Sequence, residues 1–282
     1  MATTKKVIPI KEAKGTALIN WEEQMAADAA SSAKMEESTA TGGMFSIRAG
    51  ILSWNDSPVE NNQMAAVICD AILENVAYEE EFDADNPSPP RCFAFGRDAD
   101  TMAPHKTVFE HDQAVNDKCT GCEYNKFGTA DKGRGKKCRN IRRLALIPAG
   151  KLTADGKFTA DKAGFDVSTM GFMKLPVTST TAFAAYVKQL KASLNRPAYG
   201  VFTKIKVVPD TKSQFKVTFE PLGLIPNDLM GQVFPRHKEA VESIEQPYNL
   251  DFEAEEKPKG KPAARGAKAA PAKKTAAPKR KF

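Results

Sequence analysis

Cysteine spacing is the first chemistry in this chain. Cys119 and Cys122 form a C-x-x-C pair, Cys119-Thr120-Gly121-Cys122, with Cys138 downstream and Cys92 upstream at Pro89-Pro90-Arg91-Cys92. Four thiolates close a tetrahedral Zn²⁺ site, and two intervening residues let both sulfurs of a knuckle reach one ion. The spacing therefore predicts a structural Zn²⁺ held by Cys92, Cys119, Cys122 and Cys138. Two other readings stand beside it: ordinary reduced thiols, or two disulfides in a secreted chain. His105 and His111 lie between Cys92 and the knuckle, so either is an alternative fourth ligand. Cys69, within Val67-Ile68-Cys69, reads as a small buried hydrophobe.

Between the knuckle and Cys138 run Tyr124-Asn125-Lys126-Phe127 and Lys132-Gly133-Arg134-Gly135-Lys136-Lys137. Positive charge interleaved with rings is what a single-stranded nucleic acid needs: phosphates follow the cations and bases stack on the rings. Candidate stacking residues are Trp54, Tyr78, Phe95, Tyr124, Phe127 and Phe202. Each also suits a core, Tyr124 and Phe127 least, because they lie among charges. Candidate phosphate contacts are Arg48, Lys126, Arg134, Lys136, Lys137, Arg139, Arg142, Arg143, Lys204 and Lys206, each with a solvated face as its plain alternative.

The 282 residues allow one large or two small domains, and 41% hydrophobic content suffices for a core. No apolar run approaches a membrane span, and Met1-Ala2-Thr3-Thr4-Lys5-Lys6 lacks a signal-peptide core. An odd count of 5 cysteines without such a signal points to a reducing, cytoplasmic setting and to metal over disulfide. No P-loop, G-x-S-x-G or H-E-x-x-H occurs. A deaminase would need His-x-Glu ahead of Pro-Cys-x-x-Cys, which His111-Asp112-Gln113 and Lys118 do not supply. A closed four-cysteine site also leaves no position for a reacting water. The chain reads as a binding protein and not as an enzyme.

The net charge of +6 is unevenly placed. An acidic patch (Asp251, Glu253, Glu255, Glu256) precedes Lys257-Pro258-Lys259 and the Lys/Ala/Pro/Gly run to Phe282. Such a segment buries too little to offset its ordering entropy, so residues 251–282 are expected to be disordered. They would hold polyanions by counterion release, or act only as a solubilising tail.

Helix formers across Glu12–Ser38 predict an N-terminal helical appendage within residues 1–43, with a thin face of Leu18, Trp21, Met25 and Ala29. Alternation predicts strands at Phe45–Ile51, Met64–Phe82 and Ile141–Ile147. In the second, Val67, Cys69, Ala71 and Leu73 share one parity and a bulge is expected near Glu74-Asn75; helix is the alternative for Met64–Leu73. Lys151–Asp166 suggests a hairpin-like excursion, and Met173–Val177 a short extended piece. Ser179 is the expected N-cap of a helix carrying Phe183, Tyr186, Val187, Leu190 and Leu194. Strands at Tyr199–Val208 and Phe215–Phe219 follow. Closing helices over residues 223–250 should break near Pro235. With the cysteine insert (about 92–138) set aside, the order is strand, strand, strand, helix, strand, strand. That order predicts a mainly β fold with flanking helices: an OB-like five-stranded barrel over residues 44–222, with the insert between its second and third strands.

Several motifs together resemble a family of bacteriophage single-stranded-DNA-binding proteins with an OB-like core and a zinc-binding insert. They are Pro89-Pro90-Arg91-Cys92-Phe93-Ala94-Phe95-Gly96, Met102-Ala103-Pro104-His105, Cys119-x-x-Cys122-x-x-Asn125, Gly133 through Leu144, and Leu175-Pro176-Val177-Thr178-Ser179 with Phe183 and Tyr186. The likeness spans roughly residues 44–222. It implies Cys92, Cys119, Cys122 and Cys138 as zinc ligands, the cytoplasm of an infected bacterium as the setting, and work in DNA replication, recombination or repair alongside other proteins of those processes. Many replicative single-strand binders end in an acidic tail closing on an aromatic. Here Phe282 closes the chain among basic residues, which favours a tail that touches nucleic acid. The expected ligand is single-stranded DNA, with RNA as the alternative. A second function stays open: a zinc-ribbon adaptor for a polymerase or another protein in transcription regulation, docking through the N-terminal helix and the acidic patch.

Overall fold

The computed structural model describes Met25 and residues 43–79 and 88–251. The strands in chain order are β1 (Gly43–Arg48), β2 (Ile51–Trp54), β3 (Ser57–Pro58), β4 (Gln63–Ala77), β5 (Cys92–Gly96), β6 (Arg139–Leu152), β7 (Phe158–Ala160), β8 (Gly171–Leu175), β9 (Val201–Asp210) and β10 (Gln214–Leu224). The α-helices are α1 (Lys106–Glu110), α2 (Val177–Gln189) and α3 (Asn227–Ser243). Short 3-10 turns and a π-type turn at Leu190–Leu194 complete the elements. The expected N-terminal helix and basic tail lie outside the described residues, except that Met25 is helical and Asp251 is placed.

The fold is mainly β. Its strands lie in one sheet in the order β10-β9-β4-β6-β8-β1-β2-β3, with β5 paired to β4 and β7 to β6. The sheet is not closed. Where a five-stranded barrel would join β8 to β10, the parallel strand β1 occupies the β8 edge instead. The strand expected at Phe45–Ile51 is a hairpin, because Ala49 and Gly50 take positive φ (49° and 79°) and turn the chain back.

β4 is strand throughout, so the helical alternative for Met64–Leu73 is not taken. Its apolar run is nearly unbroken because both faces are covered. Ala66 and Ile68 join the core under α2 with Leu144, Leu146, Met173, Leu175, Ile205 and Val217. Ala65, Val67 and Cys69 join a second core under α3 with Ala145, Ile147, Leu229, Val233 and Ala240. The register slips between Ile68 and Asp70, so the bulge falls at Cys69 and not at Glu74-Asn75. A bulge reverses parity. Ile72 therefore faces α3, and Ala71 packs on the α2 side, away from Val67 and Cys69.

Three further expectations change. Ser179 does not cap α2, which begins at Val177 behind Pro176. Its buried hydroxyl instead accepts the outward amide of Val217 at 2.9 Å, covering part of the β10 edge. Pro235 does not break the closing helix; α3 runs through it as one element. Its far half is pinned where Cys69 O meets His237 Nδ1 at 2.7 Å. The Lys151–Asp166 excursion is a hairpin, with β7 paired to the end of β6. The insert lies between β4 and β6, which pair with each other directly.

Candidate functional site

The cysteine insert grows from two paired strand ends. Cys92 opens β5 beside Ala77 of β4, and Cys138 precedes Arg139, the first residue of β6. The knuckle closes a turn in which Gly121 takes φ 83°, and Cys122 N–H donates to Cys119 O at 3.4 Å. Asn125 holds it from beneath: its amide donates to Cys119 O at 3.1 Å. Cys138 N–H donates to Tyr124 O at 2.8 Å, so the loop returns to its own start.

Cys92, Cys119, Cys122 and Cys138 all line one cavity, with Asn75, Phe93, Tyr124 and Asn125 among its other walls. All five cysteines carry free thiols. Burial pushes the Cys138 thiol up to about 12 and the Cys92 thiol up to about 11, and raises Cys119; neighbouring thiols add to the shift of each. A divalent cation would reverse that logic by stabilising thiolates. Among the described residues no group of three or more His, Cys, Asp or Glu side chains is already arranged to hold a metal ion. The donor set is nonetheless soft and uniform, as Zn²⁺ prefers. Neither histidine lines this cavity. His105 caps α1, with its Nδ1 3.0 Å from Thr107 Oγ1, and stacks on Phe93. His111 lies between Thr107 O and Asp251.

The loop presents Lys126, Phe127, Arg134 and Arg139 to solvent, and the Phe127 ring is 81% exposed. Tyr124 is half-buried beneath Lys137, whose Nζ lies 5.2 Å from the ring centre and 3.4 Å from Asp131. Lys136 braces the loop: its Nζ donates to Asn125 at 3.0 Å and Asn140 at 3.1 Å, and lies 5.0 Å from the Phe127 ring centre. Both oxygen partners are neutral amides, so its charge is not cancelled there. Lys132, Lys136, Lys137 and Arg139 line a basic hollow with Tyr78 and Asp131. Tyr78 was a candidate stacker; Lys132 was missed as a contact, although it stands in the same basic run.

Other candidates are separated from this loop. Arg143 is 6% exposed and committed to the fold. Its Nε donates to Glu74 at 2.8 Å, its Nη1 donates to Ile244 O and Gln246 O, and its guanidinium covers the Phe95 ring at 4.3 Å. Both Arg143 and Phe95 are thereby occupied within the protein. Phe202 is 5% exposed beneath Phe158 and Phe165, because the β7 hairpin folds over it. Trp54 packs on Phe45 and lies over two glycines; a Cβ on Gly43 would fall 1.6 Å from its ring. Arg142 is half-buried, Lys204 pairs with Glu220 at 3.0 Å, Lys206 is half-buried on the same outer face of β9, and Arg48 is exposed at the end of β1. Glu74 gave a signal that went unread: an acid inside the apolar run Ala71–Val76 requires a buried partner.

Compared with protein-family models, curated proteins and solved structures, the chain gives no match. No helix among the described residues is long and apolar enough to cross a membrane.

Proposed function

We propose that this protein is a sequence-tolerant single-stranded-DNA binder, built on an OB-like core with a structural zinc in its insert. The observation that carries the reading is the loop from Glu123 to Arg139. Phe127, 81% exposed with only the Lys136 ammonium over its ring at 5.0 Å among the described residues, shares this loop with the exposed Lys126, Arg134 and Arg139, and the loop is anchored at both ends by cysteines that line one cavity. An exposed ring costs hydration free energy unless something covers it, and a nucleobase covers it with stacking. Strand pairing supports the OB-like part. β4 pairs with β6 and β9, β6 with β8, and β9 with β10, while α2 lies between β8 and β9. Those are the pairings of such a barrel apart from its closing one. On this correspondence the insert follows the first barrel strand, not the second.

Zinc would be held by Cys92, Cys119, Cys122 and Cys138 and would supply only rigidity, setting the angle of the loop against the β4–β6 ends. Work in phage replication, recombination or repair follows from the sequence resemblance. The adaptor reading gains no specific observation: of its acidic patch only Asp251 is described, and that carboxylate bonds His111 at 3.1 Å.

The test is the double variant Tyr124→Ala/Phe127→Ala. Single-strand affinity is expected to fall by about 1–3 kcal/mol per stacked base, while duplex affinity changes little. Zinc content and melting temperature should hold, since neither ring is a ligand. If the variant loses metal and melts early, the rings are a small core over the cysteines. A sound variant with full single-strand affinity sinks the loop as the interface. Removing residues 257–282 is a separate expectation: binding should weaken evenly over sequences, and its salt dependence should flatten in gel-shift titrations.

A further inference from the structure

On the α3 side of the sheet, two cations face each other across a strand pair. Arg143 of β6 and Lys174 of β8 are direct antiparallel partners. Like charges so placed are destabilising unless anions intervene. One carboxylate is present, Glu74, and both its oxygens are spoken for: Oε2 accepts from Arg143 Nε at 2.8 Å, and Oε1 accepts from the Tyr248 hydroxyl. Lys174 has no acid partner among the described residues. Its Nζ lies 4.1 Å from the centre of the Tyr248 ring. Burial holds its pKa below the usual lysine range; the field of Glu74 opposes that shift and Arg143 adds to it. Lys174 and Arg143 also line a cavity of about 170 Å³, with Ser243, Gln246 and Tyr248 among its other walls; the Ser243 hydroxyl already donates to Glu239 O at 2.8 Å. A surplus positive charge, polar hydrogen-bonding groups and space occur together.

We propose that this cavity is an oxyanion subsite that takes a phosphoryl group. Lys174 supplies the charge and the main donors, Gln246 completes the donor set, and the Arg143–Glu74 pair holds the rear wall. The phosphoryl group could belong to a free phosphate monoester or to the backbone of a bound strand; the second source rests on the single-strand reading above. Lys174 lies outside the loop that carries that reading, so the two fail separately.

The experiment uses the full chain and Lys174→Gln. In chloride alone the variant should melt no lower than the wild type, because a like-charge opposition is removed. Adding inorganic phosphate at constant ionic strength should raise the wild-type melting temperature by about 2–4 °C once phosphate exceeds its Kd several-fold. The variant should lose that rise, and Lys174→Arg should keep it. An equal rise in wild type and Lys174→Gln, or no rise in the wild type, overturns the proposal. So does a Lys174→Gln protein that melts well below wild type in chloride, since Lys174 would then be a strut for Tyr248. Oligothymidylate titrations over salt separate the sources. A slope shallower by about 0.7 in the variant assigns the cavity to a strand phosphate. An unchanged slope with the phosphate rise lost assigns it to a free phosphate monoester. A wild type that binds no oligonucleotide removes the single-strand reading and leaves the melting comparison to decide the cavity.

Discussion

Replacing Arg143 with Ala is expected to destabilise the protein by about 3–5 kcal/mol, because it strands a buried carboxylate. Glu74 is 0% exposed and cannot recover water. The same substitution removes both donors that fasten Ile244 O and Gln246 O to the sheet, so the segment after α3 loses its anchor. Tyr248 would be left donating to an unpaired acid, and Phe95 would lose the cation over its face. Urea unfolding of the variant against the wild type measures the loss. Replacing the pair together, as Glu74→Gln/Arg143→Met, should recover much of it, since well-packed neutral residues avoid desolvating two charges. A single variant within about 1 kcal/mol of wild type would mean that water reaches Glu74 and that the pair behaves as a surface one.

If the insert holds zinc as proposed, metal removal should have the second large effect, and a local one. Free energy of structural zinc binding is folding free energy for the segment that forms the site, on the order of 10–16 kcal/mol in small zinc domains. The insert's own core is small: Ala94, Met102 and Cys119 form one satellite cluster with Leu73 packed against it, and Phe93 and Val108 form another with Val76 and Ile141. Chelation should therefore open residues 92–138 to amide exchange while the strands under α2 and α3 stay protected. Those strands rest on separate clusters that hold none of the four cysteines. Elemental analysis paired with hydrogen exchange reads both halves. Protein purified without zinc, with its insert protected and its thiols freely titrating, would refute the metal.

Patterns that depend on neighbours a few residues apart were legible in the chain. The alternation in β9 places Val201, Thr203, Ile205 and Val207 inward, as its sequence implies, because successive strand side chains must point to opposite faces. Helical spacing likewise pointed Phe183, Tyr186, Leu190 and Leu194 toward the core, where they pack, but it also grouped Val187 with them, and Val187 is exposed. Phe127, set among charged residues in the sequence, is exposed. What covers an outward face is a different question, since the answer comes from distant segments. Phe202 shares its parity with Lys204 and Lys206, yet it is buried because Phe158 and Phe165 fold over it. Arg142 and Arg143 read alike in the chain, but one residue of parity sends Arg143 to Glu74 and to carbonyls 101 and 103 positions away. The bulge at Cys69 was invisible for the same reason: it adjusts β4 to its partner β6, and register is a property of the pair. Local sequence set which side chains alternate and which loop is basic and aromatic. Only the tertiary fold decided which cations are consumed by the core and which face solvent, because burying a charge requires a partner that spacing along the chain does not reveal.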